Sequence, residues 1–336
     1  MNILKKILYP FAMLFNIIST LRNILYNYKF LKINSVHIPV ISVGNITAGG
    51  TGKTPFTIAL ANLFVENGYQ PAIITRGYKR TSKGQVVASN GAGPLASVAE
   101  CGDEPWLMSQ KTTNVVIIAD KNRFSAAQTA QDKHNCNVII CDDGFQHRRL
   151  KRDADIVLWD STTSPNNEKL LPVGRLRESF RCLKRADYLV FTRSEKFLDS
   201  YIQFFEKYNL EFALSQTRIS QLLNKDNQVE PSRIYEEKVL AFCGLGNPVQ
   251  FFDTIKKLKP QLLLTKAFAD HHKYSEKQME DLLDFAVSKE CKYLITTEKD
   301  YTNIPSVYKE SNKIIVVSIE MHIDDKLFSS LLKLIK

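Results

Sequence analysis

The chain reads as an α/β protein with a mainly parallel sheet and flanking helices, on three observations. Short apolar runs rich in β-branched residues recur at 38–43, 72–75, 115–119, 138–141, 156–159, 188–192, 239–243, 293–297 and 313–318. Most are continuous rather than alternating, as strands covered on both faces require. Helical stretches lie between them, for example 55–67, 123–134, 275–288 and 324–335. This alternation is the pattern of successive βαβ units.

The first element is a helix. Residues 7–21 are largely apolar after Lys5 and Lys6, but Arg22 interrupts and no small-x-small cleavage pattern follows. The run is shorter than the roughly 20 apolar residues a bilayer span needs. Asn16, Thr20, Asn23 and Asn27 follow i, i+4, i+7, i+11 and form one polar stripe. Phe11, Leu14, Phe15, Ile18, Leu21 and Leu25 cover much of the rest. So broad an apolar face suits an amphipathic helix lying in a membrane interface. A core helix packed on the domain is the competing reading.

Charge is uneven along the chain. The net charge is +10, and no Asp or Glu occurs before Glu66, whereas Lys5, Lys6, Arg22, Lys29, Lys32 and Lys53 do. A second basic concentration runs from His147 through Arg148, Arg149, Lys151 and Arg152 to Arg175, Arg177, Arg181, Lys184 and Arg185. Such asymmetry favours an anionic partner: phosphates, a lipid headgroup surface or nucleic acid. No interleaved aromatic and basic platform supports nucleic acid. The six cysteines are scattered without a CxxC pair, which argues against a zinc site and a disulfide framework.

The segment 41–54 (ISVGNITAGGTGKT) is a strand, a glycine-rich loop and a helix start. Glycines at 49, 50 and 52 let successive backbone N–H groups converge on an anion, and the helix adds its positive end. Thr47, Ala48, Gly49, Gly50, Thr51, Gly52, Lys53 and Thr54 are therefore the nucleotide-binding candidates, with Lys53 reaching the β- and γ-phosphates and Thr54 ligating Mg²⁺. Thr47 stands where the usual pattern has its first glycine. A buried strand ending in Asp142 and Asp143 supplies the expected carboxylates, at the sheet edge where α/β proteins hold ligands. No Asn-Lys-x-Asp motif supports guanine, so ATP with Mg²⁺ is the expected cofactor pair. Because the loop begins well after the helix, nucleotide binding is expected to be independent of it.

The polar stretch 224–237 is the best boundary candidate. The expected organisation is an N-terminal helix over 1–35, a P-loop NTPase-like kinase domain over 36–228 and a smaller α/β lobe over 229–336.

Further compact motifs follow in order: RGYKR at 76–80, CGDEP at 101–105, DDGFQH at 142–147, LPVGRLRE at 171–178, DHH at 270–272 and TEKD at 297–300. With the TAGGTGKT loop, this series resembles the tetraacyldisaccharide 4'-kinase family of lipid A synthesis over nearly the whole chain. The resemblance implies transfer of the γ-phosphate of ATP to the 4'-hydroxyl of tetraacyldisaccharide 1-phosphate, giving lipid IVA. It implies a peripheral enzyme on the cytoplasmic face of a bacterial inner membrane, with an anionic leaflet as its surface and no nucleic acid or obligate protein partner. It also implies that Asp103 and His271 form an acid–base dyad with Lys53 in the catalytic set. Glu104 is implied beside Thr54, Asp142 and Asp143 at the metal, and Arg76, Tyr78, Gln146, His147 and Arg177 at the substrate. Lys79 stands where the family often has Gly, and Arg175 where it often has Pro. A P-loop ATPase switch or metallochaperone-like protein acting on a protein partner would share the loop. It would not need the apolar helix or the later Arg and His motifs.

Overall fold

The structure, a computed structural model, describes residues 3–194, 196–225, 227–246, 248–270 and 272–335. The chain forms two compact units, residues 1–216 with 321–336, and residues 217–320.

The first unit begins with α1 (Ile3–Asn27), β1 (Val40–Gly44), α2 (Lys53–Glu66), β2 (Pro71–Thr75) and β3 (Val86–Asn90). It continues through α3 (Val98–Cys101), α4 (Asp103–Lys111), β4 (Val116–Ala119), α5 (Arg123–His134) and β5 (Val138–Asp142). Then come β6 (Ala154–Asp160), β7 (Tyr188–Thr192), α6 (Asp199–Phe205) and β8 (Glu211–Asn224), which carries the chain into the second unit. The sheet order is β8-β7-β6-β1-β5-β2-β4-β3, parallel throughout except for β3 against β4. β1 therefore lies between β5 and β6, with Val43 opposite Asp142. That register brings the end of β1 level with the end of β5, so the glycine-rich loop and the two aspartates emerge side by side.

The second unit holds β9 (Asn227–Gln228), β10 (Lys238–Cys243), α7 (Pro248–Lys256), β11 (Leu262–Ala267) and α8 (Glu276–Ser288). It closes with β12 (Tyr293–Thr297), α9 (Glu298–Thr302), α10 (Ser306–Lys309) and β13 (Ile314–Ile323). Here the order is β11-β10-β12-β13, all parallel. The last helix, α11 (Asp325–Ile335), returns to the first unit. Its Leu327, Phe328 and Leu331 pack with Ile41, Phe56, Leu60 and Phe64 in one buried cluster.

Two expectations change. The polar stretch 224–237 is no linker: Asn227 and Gln228 fold back antiparallel on Asn224 and Leu223, and Ile234 is fully buried. The units divide within β8 and β13 instead. The N-terminal helix is also longer than its uninterrupted apolar run: Ile7–Asn27 alone has the length and composition to cross a membrane. Arg22 does not end it, since a charged side chain can leave the apolar face without breaking the backbone pattern.

The side chains of Lys5 and Lys6 lie outside the described residues. Over the rest of α1, Ala12, Ser19 and Tyr26 form the buried line, one every second turn. Phe11, Leu14, Ile17, Ile18 and Leu21 point to solvent, each more than half exposed. Thr20 leaves the expected polar stripe for the exposed side, while Asn23 faces the protein. The helix is inside out relative to a core helix, with its polar edge inward and its apolar face uncovered.

The Thr-Glu-Lys-Asp segment of the second unit has a structural use. Asp300 is buried, and its carboxylate accepts from the Gly244 amide at 2.7 Å, the Tyr274 hydroxyl at 2.9 Å and the Thr297 hydroxyl at 2.6 Å. Thr297 in turn caps α9 at the Asp300 amide. Asp300→Ala is expected to destabilise this unit by about 3 kcal/mol, because three donors lose their shared acceptor in a buried site. Chemical unfolding checks this, and a loss below about 1 kcal/mol would remove the structural assignment.

Candidate active site

The loop between β1 and α2 is held from outside. The Ala48 amide donates to the Arg175 carbonyl at 2.6 Å, and the Arg177 amide to the Ile46 carbonyl at 2.8 Å. Thr192 donates to the Thr51 carbonyl at 3.1 Å, and Arg193 to the Gly50 carbonyl at 2.8 Å while paired with Asp160. Inside the loop, Asn45 donates to the Thr51 hydroxyl at 3.0 Å. The carbonyls of Ile46, Gly50 and Thr51 are thus taken by protein donors. The amides of Gly49, Gly50, Thr51 and Gly52 meet no protein acceptor among the described residues. Gly52, at φ 85°, makes the left-handed turn into α2 that an L side chain rarely adopts. A row of unpartnered amides ending at a helix start has the chemistry to receive phosphate oxygens.

Lys53, the first residue of α2, reaches across to β5, with Nζ 3.6 Å from Asp143 Oδ1. Arg177 Nη1 donates to both oxygens of Asp143, at 2.9 and 3.0 Å. Burial, the largest influence, works to raise the Asp143 pKa, but Lys53 and Arg177 together outweigh it and hold the carboxyl below its ordinary range. Asp142 is the opposite case. It is buried, with Oδ2 accepting from Thr75 at 3.0 Å and Oδ1 without a partner among the described residues. Burial first, and then the neighbouring Asp143, push its pKa up. Two adjacent carboxyls thus have environments that separate their protonation behaviour.

Glu104, in the first turn of α4, accepts from the Thr54 hydroxyl at 3.4 Å. Asp103 opens the same helix. The bend before it is tight: Gly102 has φ 98°, and a Cβ there would come within 2.9 Å of the Tyr78 carbonyl. The segments carrying Tyr78 and Asp103 are thereby pressed together. Tyr78 is exposed and has the Lys79 ammonium 5.7 Å from its ring centre. Lys79 has φ 59°, which accounts for the glycine often found at that position in the resembling family.

Gln146 donates to the Asn45 carbonyl at 2.9 Å, which ties the segment after β5 to the loop. His147 is half-buried. Burial, reinforced by Arg123, Arg152, Arg149 and Arg76, pushes its pKa down to about 4, so the ring is neutral at physiological pH. Arg76 itself is exposed. His271 lies outside the described residues. Its neighbour His272 stacks on Phe268 at 4.7 Å and meets the Gln278 side chain at 3.1 Å, a packed environment.

Sequence reasoning missed three residues here. Arg123 is buried at the start of α5 and donates to the backbone carbonyls of Asp120 at 2.6 Å and Asp142 at 3.2 Å. A cation is disfavoured at a helix N-terminus, and that mismatch was the available signal. Thr75, ending β2, and Asn45, directly after β1, carried no comparable mark.

Among the described residues no three His, Cys, Asp or Glu side chains gather into a metal cluster. Magnesium needs none, since it is held by one or two carboxylates together with phosphate oxygens and water. The unpartnered Asp142 Oδ1 and the Thr54 hydroxyl suit such a site, whereas both Asp143 oxygens are engaged by cations.

The chain is similar to known proteins over nearly its whole length. The family model for tetraacyldisaccharide-1-P 4'-kinase (LpxK) matches residues 4–336. The tetraacyldisaccharide 4'-kinase of Desulfotalea psychrophila is 36% identical over 315 residues, covering 92% of this chain and 90% of the relative. That of Halothermothrix orenii is 36% identical over 321 residues, covering 89% and 81%. The crystal structure of LpxK from Aquifex aeolicus in complex with ATP superposes with a TM-score of 0.79 at 32% identity, covering 99% of this chain and all of that one.

Proposed function

The chain belongs to the tetraacyldisaccharide-1-P 4'-kinase family, and from that premise we propose how its residues divide the work of phosphoryl transfer. It is a tetraacyldisaccharide 4'-kinase of lipid A biosynthesis, acting on a lipid-linked disaccharide. ATP is the donor in this reading, bound along Thr47–Thr54, and lipid IVA is the product. The observation that carries it is the row of unpartnered loop amides ending beside Lys53.

Phosphoryl transfer is mainly positioning and charge stabilisation. The loop amides orient the phosphates, and Lys53 faces the charge developing on the γ-phosphate. Thr54 and Asp142 would hold Mg²⁺, with Glu104 and Asp143 beside them. When bound, Mg²⁺ neutralises charge on the β- and γ-oxygens. Arg177 keeps Asp143 ionised and aimed at Lys53. His147, neutral and rimmed by arginines, suits a hydrogen bond to the sugar or its phosphate rather than a charge pair. Gln146 holds its own segment against the loop, and Arg76 and Tyr78 are free on the surface to meet the acceptor. Asp103 and His271 are assigned the acceptor proton, a carboxylate polarising an imidazole.

The helix α1 is assigned to the cytoplasmic face of the inner membrane, lying in its plane. One edge of α1 is buried against its own unit at Ala12, Ser19 and Tyr26, and a helix spanning the bilayer would carry that polar edge into lipid. Lys29, exposed just after the helix, adds attraction to an anionic leaflet, roughly 1 kcal/mol.

The deciding experiment follows phosphate transfer from ATP to detergent-dispersed acceptor by product mass, for Asp103→Ala, His271→Ala and the double variant. ATP consumption should require the acceptor. All three variants should lose activity by a similar factor, since residues acting as a unit are non-additive. Multiplicative losses would remove the dyad and leave the kinase.

A further inference from the structure

Glu178 ends the Leu-Pro-Val-Gly-Arg-Leu-Arg-Glu segment, and its side chain is only 1% exposed. Its Oε2 accepts from Asn23 at 2.6 Å, and its Oε1 from Arg22 at 3.3 Å and Arg185 at 3.0 Å. Two of these donors belong to α1. The third, Arg185, also donates to the Phe145 carbonyl at 3.2 Å and lies 3.9 Å from the centre of the Phe145 ring. Phe145 is two residues beyond Asp143. From the same segment, Arg148 donates to the Asn23 carbonyl at 3.0 Å and to Asn27 at 2.8 Å, with its guanidinium over the Tyr26 ring.

The residues just before Glu178 complete the path. Arg177 grips Asp143 with its side chain and the Ile46 carbonyl with its amide, while the Arg175 carbonyl takes the Ala48 amide. The last two turns of α1, the carboxylate segment and the phosphate loop therefore share one buried carboxylate and its immediate neighbours.

We propose that Glu178 is a positioning residue coupling the seating of α1 to the geometry of Asp143 and the phosphate loop. The outward-facing helix is then part of the phosphoryl-transfer machinery and not a detachable anchor, contrary to the independence its place in the sequence suggested. The inference rests on the roles proposed above for the loop and its carboxylates.

Charge gives the coupling its strength. Arg22, Arg185 and Arg148 converge on this buried region, and Glu178 is the carboxylate that accepts from the first two. Without it, Arg185, whose side chain is 17% exposed, loses this carboxylate, and leaving a largely buried charge unpaired is the costly outcome. The strain falls on Arg185, which holds Phe145, and on Arg177 through the backbone.

The test compares Glu178→Gln, which keeps the volume but not the charge, with the double variant Arg22→Ala/Asn23→Ala. The double variant cuts only the helix side and leaves Glu178 paired with Arg185. Turnover is measured with saturating ATP and saturating detergent-dispersed acceptor, so that vesicle binding cannot limit it. Both variants are expected to lower kcat about tenfold with KM for the acceptor within twofold, while still sedimenting with anionic vesicles through the intact apolar face. Wild-type kcat in the double variant would overturn the proposal, even if Glu178→Gln failed to fold. Lys53→Ala in the same assay separates the two readings. If it turned over normally, the loop assignment would be wrong, whatever the helix variants did.

Discussion

Replacing Lys53 with alanine is expected to lower kcat for phosphoryl transfer by about 10³-fold, while the protein stays folded. The expected size follows from removing one preorganised cation from the place where charge develops in the transition state. Lys53 is well placed for that use. It is the first residue of α2, its side chain is 15% exposed, and its ammonium lies 3.6 Å from Asp143. Stability should change little, because Asp143 keeps both of its bonds from Arg177. Steady-state kinetics and a thermal midpoint, measured on one preparation, check the two halves together. A drop in kcat below about tenfold, or roughly 1.4 kcal/mol, would remove the phosphate-loop assignment. A large fall in midpoint would instead make Lys53 a folding residue.

The sequence carried the central strands and the loop because their physics is local. A continuous apolar run such as 138–141 has to be covered on both faces, and it is β5. Glycines followed by Lys and Thr have to turn from strand to helix, and they do so at Gly52. Outer elements were harder to read. β8 mixes Phe212 and Leu214 with Glu, Gln, Ser and Arg, and β11 is exposed along most of its length. Neither has the doubly buried composition that identifies a central strand. At the site, the residues seen in advance were those whose chemistry is itself a pattern: Lys53, Thr54, Asp142 and Asp143. The supports escaped because their value is relational. Thr75 matters only because its hydroxyl meets Asp142, and Glu178 because its partners lie 155 and 7 residues away. The polar stripe on α1 was visible as a pattern, yet which way it faced depended on a carboxylate far along the chain.

Asp142→Asn is expected to make the protein more stable at neutral pH and nearly inactive. The Asp142 carboxyl is almost fully buried, and only one of its oxygens has a partner among the described residues. Burial and the adjacent Asp143 raise its pKa above the ordinary 3.8, despite Lys53 and Arg123 nearby. A raised folded-state pKa means that the native protein holds this proton more tightly than the unfolded chain does. The associated stability is fully present below 3.8 and is lost as pH rises through the folded-state value. Above that value the buried Asp142 carboxylate is therefore a cost that folding carries. Asparagine removes the titration at nearly constant volume, and its carbonyl can still accept from Thr75. The thermal midpoint measured without nucleotide at pH 7.5 should rise by a few degrees, on the scale of about 1 kcal/mol for a chain of this size. The advantage should shrink as pH is lowered through the raised folded-state value, where the parent carboxyl takes up its proton. Turnover should fall by about 10²-fold or more, with a higher Mg²⁺ concentration needed for half-maximal rate, because the unpartnered oxygen is the one proposed to meet the metal. A variant less stable than the parent at pH 7.5 would show that the ionised carboxylate is satisfied in the protein alone. A metal requirement unchanged by the substitution would move the magnesium site elsewhere.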